Sequence, residues 1–278
     1  MKKVVIGGLG GSGTRLVARL VEQLGYQSDP WQNDSRDDLT TTVLLKNPRW
    51  HRQSSPEAIR QRVQLLLDLK DRRLSIGGLP HLWSILQRGE HQSFPWQNTP
   101  ELFSYLFGKA PTQWLLKEPN THIYCEDFLA VDPDLGYIHV MRHGLDMAFS
   151  GNTQQLYNWG HLFGITTEQI RKNLPSAQLE FWLQAVQKAK ELAKKYEDRL
   201  LLLNFDQLIH RPVVGLQSIQ QFCGSDLSEQ QLQQMTSYIQ RPASMARYRA
   251  QDLSGFEEEA IRLVKQFGFE INSSSRHE

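Results

Sequence analysis

The stretch KKVVIGGLGGSGTRLVARLV, residues 2–21, packs a strand, a glycine-rich turn and a helix into twenty positions. Val4 to Gly7 is a short β-branched run. Leu16, Val17, Leu20, Val21 and Leu24 then recur at a helical period, and Gly25 marks the stop. The glycines at 7, 8, 10, 11 and 13 let the backbone turn tightly and bring its N–H groups close to an anion. The helix starting near Gly13 adds its unpaired donors and the positive end of its dipole. Ser12 and Thr14 add hydroxyls. Against the phosphate-loop pattern G-x-x-x-x-G-K-[ST], Gly8 and Gly13 fit, but Thr14 and Arg15 stand where lysine and the hydroxyl residue belong. Gly8, Gly10 and Gly13 also fit G-x-G-x-x-G, so a dinucleotide loop stays open. Either way Gly10, Gly11, Ser12, Gly13, Thr14 and Arg15 are the candidate phosphate-binding residues.

A second segment, YIHVMRHGLDMAFSGN (137–152), supplies a partner for that loop. Arg142 falls at the carboxyl end of a strand, where ligands sit in open α/β sheets. Ser150 follows eight residues later, so an arginine fork and a hydroxyl can clasp one phosphate from two sides. Asp146 is placed to cap or brace the segment. Further strands are read in WLLKEP (114–119) and RLLLLNF (199–205). Helices are expected from Pro56 through Leu69, within 75–90, at PELFSYLFG (100–108), over 167–196, and in three segments after residue 212. The polar run QSDPWQNDSRDDLTT (27–41) reads as a loop. Short strands separated by helices predict an α/β fold with a central, mostly parallel sheet flanked by helices. With no repeat and no compositional break, one domain over residues 1–270 is expected, with 271–278 as a frayed tail.

The 31 basic and 30 acidic residues nearly cancel, which argues against a chain that coats nucleic acid or an anionic membrane; any basic site is local. Cys125 and Cys223 are far apart, without metal-ligand spacing, and are expected reduced. No apolar run approaches the roughly 20 residues needed to span a bilayer. A soluble, cytoplasmic protein without membrane insertion is expected.

GGSGTR (10–15) and RHGLDMAFS (142–150) together resemble the sulfotransferases that use 3′-phosphoadenosine 5′-phosphosulfate (PAPS). In that family a strand–loop–helix close to [KR]-S-G-T binds the 5′-phosphosulfate, and R-x-x-x-D-x-x-x-S after a later strand binds the 3′-phosphate. LLLLNFDQLIHRP (200–212) is similar to the family's strand followed by E-D-L and proline, and PASMARYRAQDL (242–253) to its arginine-bearing closing segment. The resemblance covers roughly residues 3–255. It implies a P-loop NTPase-like three-layer fold, PAPS as donor with adenosine 3′,5′-bisphosphate (PAP) as product, and no metal. It also implies nucleotide contacts from Arg142, Ser150, Arg247 and Arg249. One position departs from the pattern: where the family carries lysine or arginine before Ser-Gly, this chain has Gly11. Arg15 and Lys117 are the candidates to supply the missing charge.

Sulfuryl transfer to an alcohol needs a base for the acceptor hydroxyl and cations on the transferring group. LLKEPNTHIY (115–124) resembles the family's K-x-P and K-T-H elements. Lys117 is therefore assigned to the sulfuryl or bridging oxygens. His122 is the first choice of base, since its ordinary pKa lies near neutrality. Glu118 competes if burial raises its pKa, and Asp34, Asp37 and Asp38 are alternatives in the loop after the first helix. The acceptor is expected to be a small-molecule or carbohydrate hydroxyl. Trp31, Trp50, Trp83, Trp96, Tyr157 and Trp159 offer aromatic surface to it, or simply pack. Neither the acceptor's identity nor the oligomeric state is encoded in any motif. Two rivals are a P-loop kinase or NTPase, with Asp206 as magnesium ligand, and a catalytically inactive nucleotide-binding homologue. A hydride-transfer enzyme is a weak third, because no acidic residue is placed for the ribose hydroxyls.

Overall fold

The computed structural model describes residues 1–74, 77–87 and 109–271. In chain order these form β1 (Lys3–Gly8), α1 (Thr14–Gln23), β2 (Gln27–Ser28), α2 (Leu39–Leu45), α3 (Pro48–Gln53), α4 (Pro56–Lys70), α5 (Gly78–Gln87) and β3 (Trp114–Lys117). After a 3₁₀ segment (Pro119–Tyr124) come α6 (Cys125–Val131), β4 (Leu135–Met141), α7 (Gly144–Ala148), α8 (Gln154–Trp159), α9 (Thr167–Lys172), α10 (Leu174–Tyr196) and β5 (Leu200–Asn204). The chain ends with α11 (Phe205–His210), α12 (Pro212–Cys223), α13 (Glu229–Met235) and α14 (Glu258–Gln266). The expected helix at 100–108 and the tail from 272 lie outside the described residues, as does Trp96.

The five strands form one sheet in the order β2-β3-β1-β4-β5, every pair parallel. Alternation along β1 divides the core. Val4 and Ile6 pack with Leu115, Ile138 and the α1 residues Val17, Leu20 and Val21 on one face. Val5 joins Leu116, Tyr137 and residues of α4, α6 and α10 on the other. Both faces are covered, as the unbroken apolar strands require. The crossover from β1 runs towards β2 and that from β4 towards β5, so the carboxyl ends of β1 and β4 flank the switch point where open α/β sheets bind ligands.

Close approach demands glycine at Gly8 and Gly13, among others. A Cβ on Gly8, at φ 145°, would lie 2.5 Å from the Val140 carbonyl oxygen, and one on Gly13, at φ 102°, would lie 2.2 Å from the Phe205 ring. Gly13 is also the N-cap of α1. Part of the run read as loop is helical: Asp38 caps α2 by accepting from the Thr41 N–H, and Asn47 caps α3 with Pro48 in its first turn. The helix expected over 167–196 is two, broken where Asn173 caps α10 ahead of Pro175. Among the described residues no helix is long and apolar enough to cross a membrane.

His139 on β4 is buried with neither ring nitrogen bonded among the described residues, its ring 6.4 Å from that of His122. Burial pulls its pKa down to about 3. In the unfolded chain the same imidazole takes up a proton near pH 6.5, so its contribution to stability is present above that pH and lost as pH falls towards the folded value. The His139→Leu variant should therefore gain about 2 kcal/mol relative to wild type between pH 7 and about pH 5. Urea unfolding at the two pH values measures this; a wild-type-to-variant difference that does not change with pH would show that His139 is not held neutral.

Candidate active site

The glycine-rich loop and the segment after β4 meet at the carboxyl ends of neighbouring strands. Gly11, at φ 95°, turns its carbonyl onto Arg142, whose Nη1 donates to it at 3.1 Å. The same nitrogen donates to Ser244 Oγ at 3.1 Å, and Nη2 donates to Asp146 Oδ2 at 3.3 Å in a buried ion pair. Asp146 braces more than the arginine. Its carboxylate also accepts from the Ala246 N–H at 2.8 Å and the Tyr248 N–H at 3.3 Å, drawing residues 244–248 over the site. Ala246 sits in the left-handed region at φ 63°, a strain of roughly 1 kcal/mol or more for a residue with a Cβ.

Arg247 lies in the same cluster. Its Nε donates to the Ser244 carbonyl at 3.0 Å and its Nη1 to the Phe149 carbonyl at 3.4 Å. Burial, and then the charge of Arg142, lower its pKa from the ordinary arginine value, the mark of two cations held close together. Ser150 Oγ accepts from the Asn152 N–H and comes within 3.7 Å of where a Cβ on Gly11 would stand. Gly11, Arg142, Ser150 and Arg247 are thus brought together from three separate chain segments. Three buried donors in this cluster have no partner among the described residues: Ser12 Oγ, Arg142 Nε and Gln155 Nε2. Such groups in a folded protein call for a ligand or water.

A second group stands at the end of β3. Lys117 is buried, donates Nζ to the Ser35 carbonyl at 3.0 Å and forms an ion pair with Asp37. Arg15 is exposed and reaches the same turn, Nη2 donating to Ser35 Oγ at 2.9 Å. The turn is folded by Asn33, whose Oδ1 accepts from the Ser35 and Asp37 N–H groups, both at 2.9 Å. Glu118 follows Lys117, and its own N–H donates to the Ile6 carbonyl at 3.2 Å, beside the stem of the glycine loop. Its Oε1 accepts from Asn120 Nδ2 at 2.7 Å, and its Oε2 is buried without a partner among the described residues. Burial, and then the nearby Asp37 carboxylate, push the Glu118 pKa up to about 7.

The other candidate bases are placed differently. His122 is enclosed with its ring near Phe163 and Phe181, and its Nδ1 is bonded to the Pro119 carbonyl at 2.9 Å. Burial draws its pKa down to about 4, so it is a weak base facing the core. Asp38 caps α2 and pairs with the buried Lys70; Asp34 lies on an exposed turn. Arg249 lines a cavity of about 650 Å³ along β5, α11 and α12 that shares Asp146, Ala246 and Tyr248 with the Arg142 cluster. Asp206, the magnesium ligand of the kinase reading, spends Oδ2 on the His143 N–H at 2.9 Å. Of the aromatics, Trp31 and Trp159 are buried, the ring of Trp50 lies under Arg62, and Trp83 and Tyr157 are exposed. Sequence reasoning missed Ser244 and Gln155. Ser244 lies inside the quoted arginine-bearing segment; for Gln155, five residues past Ser150, no sequence signal exists.

The sulfotransferase family model matches residues 3–229. No curated protein sequence matches the chain. Among solved structures, the sulfotransferase domain of the olefin synthase from Synechococcus PCC 7002 is similar at 16% identity, over 97% of this chain and 95% of that one, with a TM-score of 0.52. The sulfotransferase domain from the curacin biosynthetic pathway is similar at 14% identity, over 98% and 99%, with a TM-score of 0.51. At such identities the two structures speak for the shared P-loop-like α/β fold. The family match spans most of the sequence, and the chain belongs to the sulfotransferase family.

Proposed function

We propose that this chain transfers a sulfuryl group from PAPS to the hydroxyl of a small-molecule or carbohydrate acceptor, in the cytoplasm and without a metal, leaving PAP. The observation that carries the reading is the bond from Arg142 to the Gly11 carbonyl, which joins the two motif segments into one partly buried, cationic cluster. The donor set fits the nucleotide: the unpartnered Ser12 Oγ and Arg142 Nε, with Arg247 and Ser150 beside them, suit phosphate oxygens. When bound, PAPS supplies the sulfuryl group and a phosphate leaving group.

Arg142, Ser150 and Arg247 hold the 3′-phosphate in this reading, and the glycine loop with Thr14 holds the 5′ end. Lys117 stabilises charge developing on the transferring group. Glu118 replaces His122 as the base: it is a carboxylate poised near neutrality, with one oxygen fixed by Asn120 and the other free. The inactive-homologue reading draws support from Gly11, which brings no side-chain cation to the loop. Tight PAP binding with no sulfated product across alcohol, sugar and phenol panels favours that alternative. Loss of nucleotide binding on chelation of magnesium favours the kinase.

Arg142→Ala should weaken PAP binding by roughly 10- to 100-fold, the worth of a charge-assisted contact; calorimetry showing unchanged affinity rejects the assignment. Lys117→Ala should depress turnover more than PAP affinity, and the opposite split would mean that the lysine serves binding.

For Glu118, kcat/KM should rise with pH through about 7 and level off, as the carboxylate ionises. Glu118→Gln should lower it by about 10²- to 10⁴-fold and abolish that limb. A pH profile in Glu118→Gln identical to wild type would return the base role to another residue.

A further inference from the structure

The loop of this chain lacks a cation at position 11, yet it is not bare on that side. The Gly10 N–H donates to Gln155 Oε1 at 2.6 Å, a buried bond between residues 145 apart in sequence. Because the backbone group is a donor, it fixes which way the carboxamide faces: oxygen towards Gly10, nitrogen away from it. Gln155 is 7% exposed, and its Nε2 has no partner among the described residues. A buried amide nitrogen without an acceptor is costly, and such a group persists where a bound ligand or water completes it.

Position 11 itself is closed to the usual solution. At φ 95° Gly11 holds a backbone conformation that side-chain-bearing residues rarely adopt, and its carbonyl is committed to Arg142. Arg15 is engaged at the Ser35 turn, and Lys117, whose proposed role is at the transferring group, is bonded there too. The flank of the loop is occupied instead by the segment after α7. Asn152 Nδ2 stands 2.4 Å from where a Cβ on Gly10 would lie, and Ser150 Oγ stands 3.7 Å from the corresponding point on Gly11. Ser150, Asn152 and Gln155 line the loop with neutral polar groups.

Resting on the proposed nucleotide site, we infer that Gln155 is a donor-substrate-binding residue: its Nε2 donates to the 5′-phosphosulfate oxygens, taking the place of the basic side chain absent at Gly11. The same carboxamide holds the loop through Gly10, so one residue both shapes the anion cradle and completes it.

The test compares two nucleotides by calorimetry on the full chain: PAP, and adenosine 3′-monophosphate, which lacks the 5′-phosphate. Gln155→Glu keeps the acceptor for the Gly10 N–H, removes the donor and adds a negative charge. It should lose roughly 10- to 100-fold in PAP affinity while adenosine 3′-monophosphate changes by no more than about twofold. Gln155→Met, neutral and without donor or acceptor, should lose about tenfold on PAP, so that the Glu result is not charge repulsion alone. Thermal unfolding checks that both variants are folded. Unchanged PAP affinity in Gln155→Glu, or equal losses on both nucleotides, overturns the inference. Failure of the wild type to bind PAP instead overturns the nucleotide site itself, and is seen before any variant is compared.

Discussion

The site depends on one buried guanidinium. Arg142 reaches from the end of β4 to the carbonyl of Gly11 across the gap between adjacent strands, and its other nitrogen pairs with a fully buried Asp146. A charge this deep is tolerable only with its partners in place, and removing one partner of such a pair typically costs about 3–5 kcal/mol. Asp146 in turn accepts two backbone N–H groups from residues 246 and 248. The loop, the segment after β4 and the strap near the carboxyl end are therefore held by a single electrostatic centre. That centre also sits where the sheet's connectivity reverses, so the fold and the candidate site draw on the same bonds.

Charge is partitioned rather than pooled. Arg142 and Arg247 form one positive cluster, balanced from behind by Asp146. Lys117, one residue from Glu118, gives its charge to Asp37. Had Lys117 paired with Glu118, the carboxylate would be held well below neutrality. Buried without a cation of its own and facing a second carboxylate, Glu118 is pushed up to about 7 instead. The Lys117–Asp37 pair thus has two effects. It fixes the lysine at the end of β3, and it leaves its neighbour able to exchange a proton near neutral pH.

The parts of this arrangement written in local pattern were legible. The β1–loop–α1 succession, the strand ending at Arg142 and the parallel sheet all follow from apolar period and glycine placement. α2 and α3 were hidden because their caps, Asp38 and Asn47, lie in or beside a polar run whose composition matches a loop. The order of the candidate bases is hidden in the sequence for a different reason. Residue type favours His122 over Glu118, since imidazole titrates near neutrality in water. Burial reverses that order, and it is set by Phe163, just after α8, and Phe181 on α10, residues distant in sequence that are brought over the 3₁₀ segment. The division of Arg247 from Arg249 is equally non-local, because it follows from how Asp146 holds the strap.

The short stretch from Ser150 to Trp159 links the two halves of the site. At its start Ser150 and Gln155 contact the glycine loop; at its end Trp159 Nε1 donates to Asn120 Oδ1 at 2.9 Å, and Asn120 fixes Glu118. A displacement of α8 by even a fraction of a turn would break both connections together. Tyr157, on the same helix, is exposed and so in contact with whatever approaches from solvent. The helix that holds the loop on one side and, through Asn120, orients Glu118 on the other therefore also presents an aromatic ring outward. Such a helix couples the geometry of the glycine loop to that of the Glu118 carboxylate through hydrogen bonds alone, without requiring any charged residue between them.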